Sequence, residues 1–177
     1  MEGLKVLVTA GPTRESIDPV RYITNASSGK QGYAIAEAAR DAGAVVSLVS
    51  GPVALPSPRG VQQKSVTTAA EMKSAVLDLA NDIDIMFGVA AVADYRPIHS
   101  QPHKIKKLQR DGSSMTIDLV ENDDIIASVA ALPDPPYLVG FAAETQTPIK
   151  NAVRKRARKC LDAIVVKDVY KRYYGLD

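Results

Sequence analysis

Five short apolar runs, rich in β-branched residues, limit what this chain can fold into: residues 4–9 (LKVLVT), 44–50 (AVVSLVS), 83–89 (IDIMFGV), 137–141 (YLVGF) and 163–166 (AIVV). Each reads as a buried strand, short and continuous, and the first two end at Gly-Pro turns. Residues 61–66 offer a further, shorter strand. Segments with helical spacing lie between them: 31–42, closed by Gly43 as a C-cap candidate, then 69–80, 123–132 and the basic stretch 149–160. Strands alternating with helices predict an α/β chain with a doubly wound, mostly parallel sheet and helices on both faces. At 177 residues the chain fits one domain and can bury a real core.

The second half changes character. Residues 97–114 are rich in Pro, Ser, His, Lys and Gln and read as a long loop. Residues 115–120 (MTIDLV) alternate apolar and polar, which marks a half-exposed strand. Paired with 104–108, they would make an antiparallel hairpin outside the main sheet, near residues 104–120.

Composition removes several functional classes. The net charge is only +2, so no strong field points to nucleic acid or to a membrane surface. No apolar run approaches the length of a membrane span and no signal peptide opens the chain, so a cytoplasmic protein is expected. Cys160 is the one cysteine, which rules out an internal disulfide and a cysteine-rich zinc site; it is expected to be a small packed residue. His99 and His103 are the two histidines, so triads and histidine-rich metal sites fit poorly. Phosphate and carboxylate chemistry run by Lys, Asp, Asn and backbone amides fits better.

In a doubly wound sheet, ligands bind beyond the carboxyl ends of the strands. Four polar segments fall near such ends. The first, residues 11–30, is far longer than a dinucleotide-binding turn requires, and no GxGxxG fingerprint follows the first strand. Within it Ser27, Ser28, Gly29 and Lys30, with Gly32 in the next helix, offer small residues, amides and a cation to a phosphate. A glycine-rich helix entry with an Asn or Ser cap accounts for the same residues equally well. The second, residues 90–96 (AAVADYR), has small residues that let a planar ligand approach the backbone. Asp94 there suits a ribose hydroxyl, or simply a helix cap or a partner for Arg96. Lys104, Lys106 and Lys107 form a cationic cluster in the long loop, either a solvated face or a lid that brings charge to a reacting phosphate. Lys155 and Lys159, four residues apart, share one helix face and suit a triphosphate; without interleaved aromatics, a nucleic-acid helix is the weaker reading. Phe141 would stack on a base or fill core.

Taken in order, five segments resemble one family. GPTRESIDPVRYITNASSGKQG (11–32), GVAAVADYRP (88–97), KIKK (104–107), VGFAAET (139–145) and RKRARKCLDAIVVKDV (154–169) are similar to the phosphopantothenoylcysteine synthetase domain. In many bacteria this domain is the C-terminal half of a bifunctional coenzyme A biosynthesis protein. The resemblance spans about Lys5 to Val169 and implies a Rossmann-like fold. It implies a ligase that activates the carboxylate of 4′-phosphopantothenate with CTP, through an acyl-cytidylate, and passes the acyl group to the amine of cysteine. CMP and pyrophosphate are the other products. Mg²⁺ would accompany the triphosphate; no flavin or NAD is implied for this domain.

The resemblance also distributes roles. Gly88, Val89 and Ala90 would offer backbone to the cytidine, and Asp94 would hold the nucleotide. Asp123, Asp124, Ile125, Ile126 and Phe141 would complete the CTP pocket, with Lys155 and Lys159 on the triphosphate. Lys104 would reach the reacting phosphate. Asn25 would hold the acyl-cytidylate, and Ser27, Ser28, Gly29, Lys30 and Gly32 the phosphopantothenate. A homodimer is implied, with the hairpin outside the sheet at its contact, and fusion to a flavin-dependent decarboxylase domain is usual. Two positions depart from the family pattern: Asp123 stands where proline is usual, and Lys167 where asparagine is usual. The chain is also shorter at its C-terminus than family members, and a first strand that begins by Leu4 reads as an excised domain. A catalytically silent nucleotide-binding module and an NAD(P)-dependent reductase remain as alternatives.

Overall fold

The computed structural model describes residues 1–106, 114–144 and 148–168. Among the described residues, six parallel strands form one sheet: β1 (Lys5–Ala10), β4 (Val45–Ser50), β5 (Gln62–Ser65), β6 (Ile85–Gly88), β9 (Tyr137–Glu144) and β10 (Ala163–Asp168). Their spatial order is β5-β4-β1-β6-β9-β10, with every neighbour parallel. The order runs outward in both directions from β1, so the switch point lies between β1 and β6. The expected doubly wound sheet is present.

The continuous apolar character of β1 follows from its place in the middle. Val6, Val8 and Ala10 pack with Tyr33, Ala36 and Ala39 of α1 (Lys30–Asp41) on one face. Leu7, on the other face, packs with Met72, Ala75 and Val76 of α2 (Ala69–Ala80) and with Ile125 and Val129 of α3 (Ile125–Ala130). Successive strand residues point to opposite faces, so a strand covered on both sides needs apolar residues at every position. The last helix, α4 (Pro148–Arg158), packs on β9 and β10.

Helix ends follow local chemistry. Thr68 caps α2 in a reciprocal capping box with Glu71. Helix α1 ends in a Schellman motif: the Gly43 amide donates to Arg40 and the Ala44 amide to Ala39, with Gly43 at φ +89°. The same geometry ends α4, where the left-handed position is Cys160 at φ 51°. Its neighbour Leu161 donates to the Arg156 carbonyl at 3.0 Å. Cys160 is exposed, which corrects the expectation of a packed residue. It sits where a helix terminates in a left-handed residue, not where a core needs filling.

Among the described residues, two antiparallel pairs stand outside the sheet. One joins β7 (Tyr95–Pro97) to β8 (Leu119–Glu121). An added hairpin was expected, but its first strand precedes the expected 104–108; residues 107–113 lie outside the described residues. The other, β2 (Arg14–Asp18) with β3 (Arg21–Thr24), occupies the long polar segment after β1, where the sequence predicts no strand. Its turn is Asp18-Pro19-Val20-Arg21, with Asp and Pro at their preferred turn positions. One Asp18 oxygen accepts from the Val20 and Arg21 amides, both at 2.9 Å, an Asx-type closure.

Leu7 is fully buried at the centre of this arrangement, whereas Val45 is 53% exposed. Leu7→Ala is expected to cost about 2–5 kcal/mol of unfolding free energy, and Val45→Ala under about 0.5 kcal/mol. Urea titration of the two variants checks the contrast.

Candidate functional site

The switch point is built by side chains that satisfy backbone groups where the ladder ends. The Thr9 hydroxyl, at the end of β1, accepts from the amides of Val89 and Ala90, both at 3.2 Å. Thr13, fully buried, accepts from the Ala93 amide at 2.9 Å. Between them Ala91 donates to the Gly11 carbonyl at 2.9 Å, and Pro12 bridges Ala91. The chain after β1 and the chain after β6 therefore run together beyond the sheet. Asn25, at the end of β3, ties a third segment to them: its side-chain amide donates to Val92 at 2.9 Å and Ala91 at 3.3 Å.

These segments wall one side of a cleft of about 750 Å³ at the carboxyl ends of β1, β6 and β9. Gly88, Val89, Ala90 and Asp94 line it from the end of β6, and Asn25, Ser27, Gly29, Lys30 and Gly32 from the entry to α1. Asp123, Asp124, Ile125 and Ile126 line it from the start of α3, and Phe141 from β9. Lys155 and Lys159 complete it from α4. Five segments that lie apart in sequence thus share one cavity.

Two expected residues lie elsewhere. Ser28 lines a neighbouring depression of about 560 Å³, with Arg14, Val53 and Leu55 among its walls. Lys104 is exposed and lines neither cavity; the segment carrying it is fixed to β2 and β3. Lys107 lies outside the described residues.

The entry to α1 is shaped for close approach. Gly29 precedes the helix at φ +79° with no side-chain cap. The Ser27 hydroxyl accepts from the Gly29 amide at 3.3 Å, and the Ser28 hydroxyl from the Lys30 amide at 3.4 Å. A Cβ on Gly32 would lie 2.5 Å from the Ala10 Cβ, so glycine there sets how near α1 comes to β1.

Charge in the cleft is largely self-compensated. Lys159 pairs with Asp124 at 2.8 Å, and Asp124 also caps α3 by accepting from the Ala127 amide at 3.1 Å. Burial acts to raise the Asp124 carboxyl, but the Lys159 hydrogen bond, the Ala127 amide and the positive charges of Lys159 and Arg158 outweigh it and hold it below its ordinary value. The carboxylate of Asp123, where the family usually has proline, pairs with Lys73 of α2 at 2.7 Å. The Lys73 hydrogen bond and charge hold Asp123 below its ordinary value. The Lys155 ammonium donates to the Phe141 carbonyl at 2.9 Å. Arg158 also lines the cleft; its position three residues after Lys155 in a helical pattern is the signal that would have found it. Asn122 is another addition: its side-chain amide donates to the Ala93 carbonyl at 2.8 Å and closes the cleft wall between β6 and α3.

The sequence comparisons agree with the motifs. The family model described as DNA/pantothenate metabolism flavoprotein C-terminal domain matches residues 1–177, so the chain belongs to that family. The coenzyme A biosynthesis bifunctional protein CoaBC of Escherichia coli K12 is 52% identical over 178 aligned residues, covering 100% of this chain and 44% of the relative. CoaBC of Vibrio cholerae is 55% identical over 168 residues, covering 94% of this chain and 42% of the relative. The chain therefore spans less than half the length of these proteins. A crystal structure of the C-terminal domain of CoaBC superposes with a TM-score of 0.84 at 43% identity, covering 96% of this chain and 79% of that one. The fold and the family expected from the motifs are those found.

A lowered carboxyl contributes stability above its unfolded value and loses that contribution as pH falls through the folded value. Asp124 is therefore expected to titrate below the ordinary aspartate value of about 3.9. In Lys159→Ala its midpoint should rise. Carbon-detected NMR of the Asp124 carboxyl checks both, and a midpoint unmoved by the substitution would contradict the pairing.

Proposed function

We propose that this chain is the ligase domain that joins 4′-phosphopantothenate to L-cysteine at the expense of CTP, forming 4′-phosphopantothenoylcysteine, CMP and pyrophosphate for coenzyme A biosynthesis. The observation that carries the reading is the convergence on one cleft of Asn25, the 88–94 segment, the start of α3, and Lys155 with Lys159. A carboxylate does not acylate an amine at neutral pH until one oxygen becomes a good leaving group. Attack by the carboxylate oxygen on the α-phosphorus of CTP would form that ester, with the bond to the β-phosphate breaking and pyrophosphate departing. The cysteine amine would then attack the acyl carbon, and CMP would leave.

The chain's groups suit these steps. The backbone of Gly88, Val89 and Ala90, held by Thr9, offers polar groups to the cytosine, with Asp94 for the sugar. Lys155 and Lys159 would exchange their present acceptors, the Phe141 carbonyl and Asp124, for phosphate oxygens, a stronger charge-assisted pairing. Lys104 is assigned to the transferring phosphate, where it would stabilise charge in the transition state. Asn25, already fixed against Ala91 and Val92, would hold the acyl-cytidylate, and Ser27, Ser28, Gly29, Lys30 and Gly32 the phosphopantothenate. Neither step needs a histidine, a thiol or a redox group on the protein.

Mg²⁺ would arrive with the triphosphate and screen its charge. Among the described residues no cluster of three or more His, Cys, Asp or Glu is placed to cage a metal. Phosphate oxygens and water would supply most ligands of that cation. We assign a homodimer on the same footing, with Val20, Tyr22, Ile98, Leu119 and Val120 exposed on and beside the two small hairpins. Fusion to a flavin-dependent decarboxylase domain belongs to the proposal too. Among the described residues, no helix is long and apolar enough to cross a membrane.

Pyrophosphate release by the purified chain, with 4′-phosphopantothenate, Mg²⁺ and either CTP or ATP but no cysteine, tests the reading. Release with CTP is expected; silence with both nucleotides would favour a silent nucleotide-binding module. Asn25→Asp is expected to release pyrophosphate yet complete the cysteine step poorly, and equal loss of both steps would remove that role. Lys155→Ala should raise the apparent KM for CTP about ten-fold or more, the loss of one charge-assisted contact; an unchanged KM would count against it.

A further inference from the structure

The β2–β3 hairpin buries a carboxylate that the proposed chemistry does not use. The Asp18 side chain is fully buried, yet it carries charge. Its two oxygens divide their work. Oδ1 accepts from the Val20 and Arg21 amides and closes the turn. Oδ2 accepts from the Arg21 guanidinium at 2.9 Å and from the Ile105 amide, 87 residues along the chain, at 3.1 Å. The other guanidinium nitrogen of Arg21 donates to the Ile105 carbonyl at 3.2 Å, so both backbone polar groups of Ile105 are held. Gln101 is pinned to the same hairpin, its amide donating to the Ile17 carbonyl at 2.9 Å. Lys104 lies between these two anchors.

A buried charge is costly unless it is fully hydrogen-bonded. Closing a four-residue turn needs only one acceptor oxygen, which a neutral Asn or Ser supplies in many turns. The charge is matched by the Arg21 guanidinium, and the second oxygen reaches beyond the turn: with Arg21 it holds both backbone polar groups of Ile105. We propose that Asp18 is a positioning residue: its Oδ2 fixes the backbone that carries Lys104 and so sets where that ammonium can reach. This rests on the reading above, in which Lys104 serves the transferring phosphate. With the backbone held at 101 and 105, the freedom left to the ammonium is mainly that of its own side chain, which lowers the entropy lost when it meets the phosphate.

Asp18→Asn separates the two roles, because an amide keeps one acceptor oxygen for the turn and replaces the other with a donor. Backbone hydrogen exchange should show the Ile105 amide losing protection, while the Val20 and Arg21 amides and those of β1 and β4 keep theirs. In the pyrophosphate assay kcat should fall about ten-fold with the KM for CTP changed by less than about two-fold, the mark of a transition-state contact. In a Lys104→Ala background the same substitution should cost less than about two-fold more, because the two residues act through one contact. Unchanged protection at Ile105, an unchanged or raised kcat, or losses that simply add would each overturn the proposal. If the unmutated chain releases no pyrophosphate, the functional reading fails and this role of Lys104 goes with it. The exchange data would then still decide whether Asp18 tethers the segment.

Discussion

The cleft depends on one small constraint, the hydroxyls of Thr9 and Thr13 at the end of the central strand. A parallel sheet stops pairing at its carboxyl edge, and the amides just beyond that edge need acceptors. Thr9 takes two of them from the neighbouring strand's loop, and Thr13 takes a third four residues on. Three loop amides are thereby satisfied by side chains of the β1 segment, leaving the loop's outer surface for a ligand. Asn25 adds the third segment by donating to carbonyls of the same loop. Nearby, Glu15 is buried and accepts from the Ala69 amide at 2.8 Å, tying the hairpin to the first turn of α2. The buried polar side chains of this region therefore do related work: each joins the segment after β1 to an element remote in sequence.

The electrostatics have the same economy. The cleft gathers Lys155, Arg158 and Lys159 with Asp94, Glu121, Asp123 and Asp124. Lone cations packed together would repel one another and destabilise the fold. Pairing Lys159 with Asp124 lowers that repulsion, whereas the Asp123 carboxylate is turned to Lys73. Asp123 is the departure from the family that should trouble a triphosphate site, and its pairing with α2 directs its charge to a partner outside α4. The Asp124 carboxylate caps α3 as well as holding Lys159, so a ligand that draws Lys159 away leaves Asp124 with a partner in the Ala127 amide.

Much of this was legible in the sequence, for identifiable reasons. The main strands betrayed themselves because a strand covered on both faces must be apolar throughout. Residues 11–32 and 88–97 stood out as small, polar and glycine residues gathered just past predicted strand ends, and the family resemblance, not their spacing, gave them binding roles. The β2–β3 hairpin was not legible, because Arg14–Asp18 carries polar residues on a strand whose pairing is confined to β3. Beyond its local turn it is anchored by Asp18 and Glu15, which also accept from amides 87 and 54 residues away. No local window reports such contacts. Cys160 was misread because burial was inferred from residue type, whereas helix termination decided its place. Arg158 was passed over because its neighbours Lys155 and Lys159 already accounted for the helix face.

The hairpin also explains why the segment after β1 is so long. A dinucleotide-binding turn passes from strand to helix in a few residues, with the helix amides meeting a phosphate directly. Here β2 and β3 are inserted between β1 and α1, and the chain returns to the helix only at Gly29. The insertion places Asn25 over the β6 loop, buries the Asp18 carboxylate, and holds a remote segment through it. A tight glycine turn could do none of these, because it has neither the reach nor the side chains. What the fold gives up in the glycine fingerprint it recovers as a platform that ties the β6 loop and a remote segment to the chain after β1. That arrangement suits chemistry in which two substrates and an activated intermediate must be held in turn.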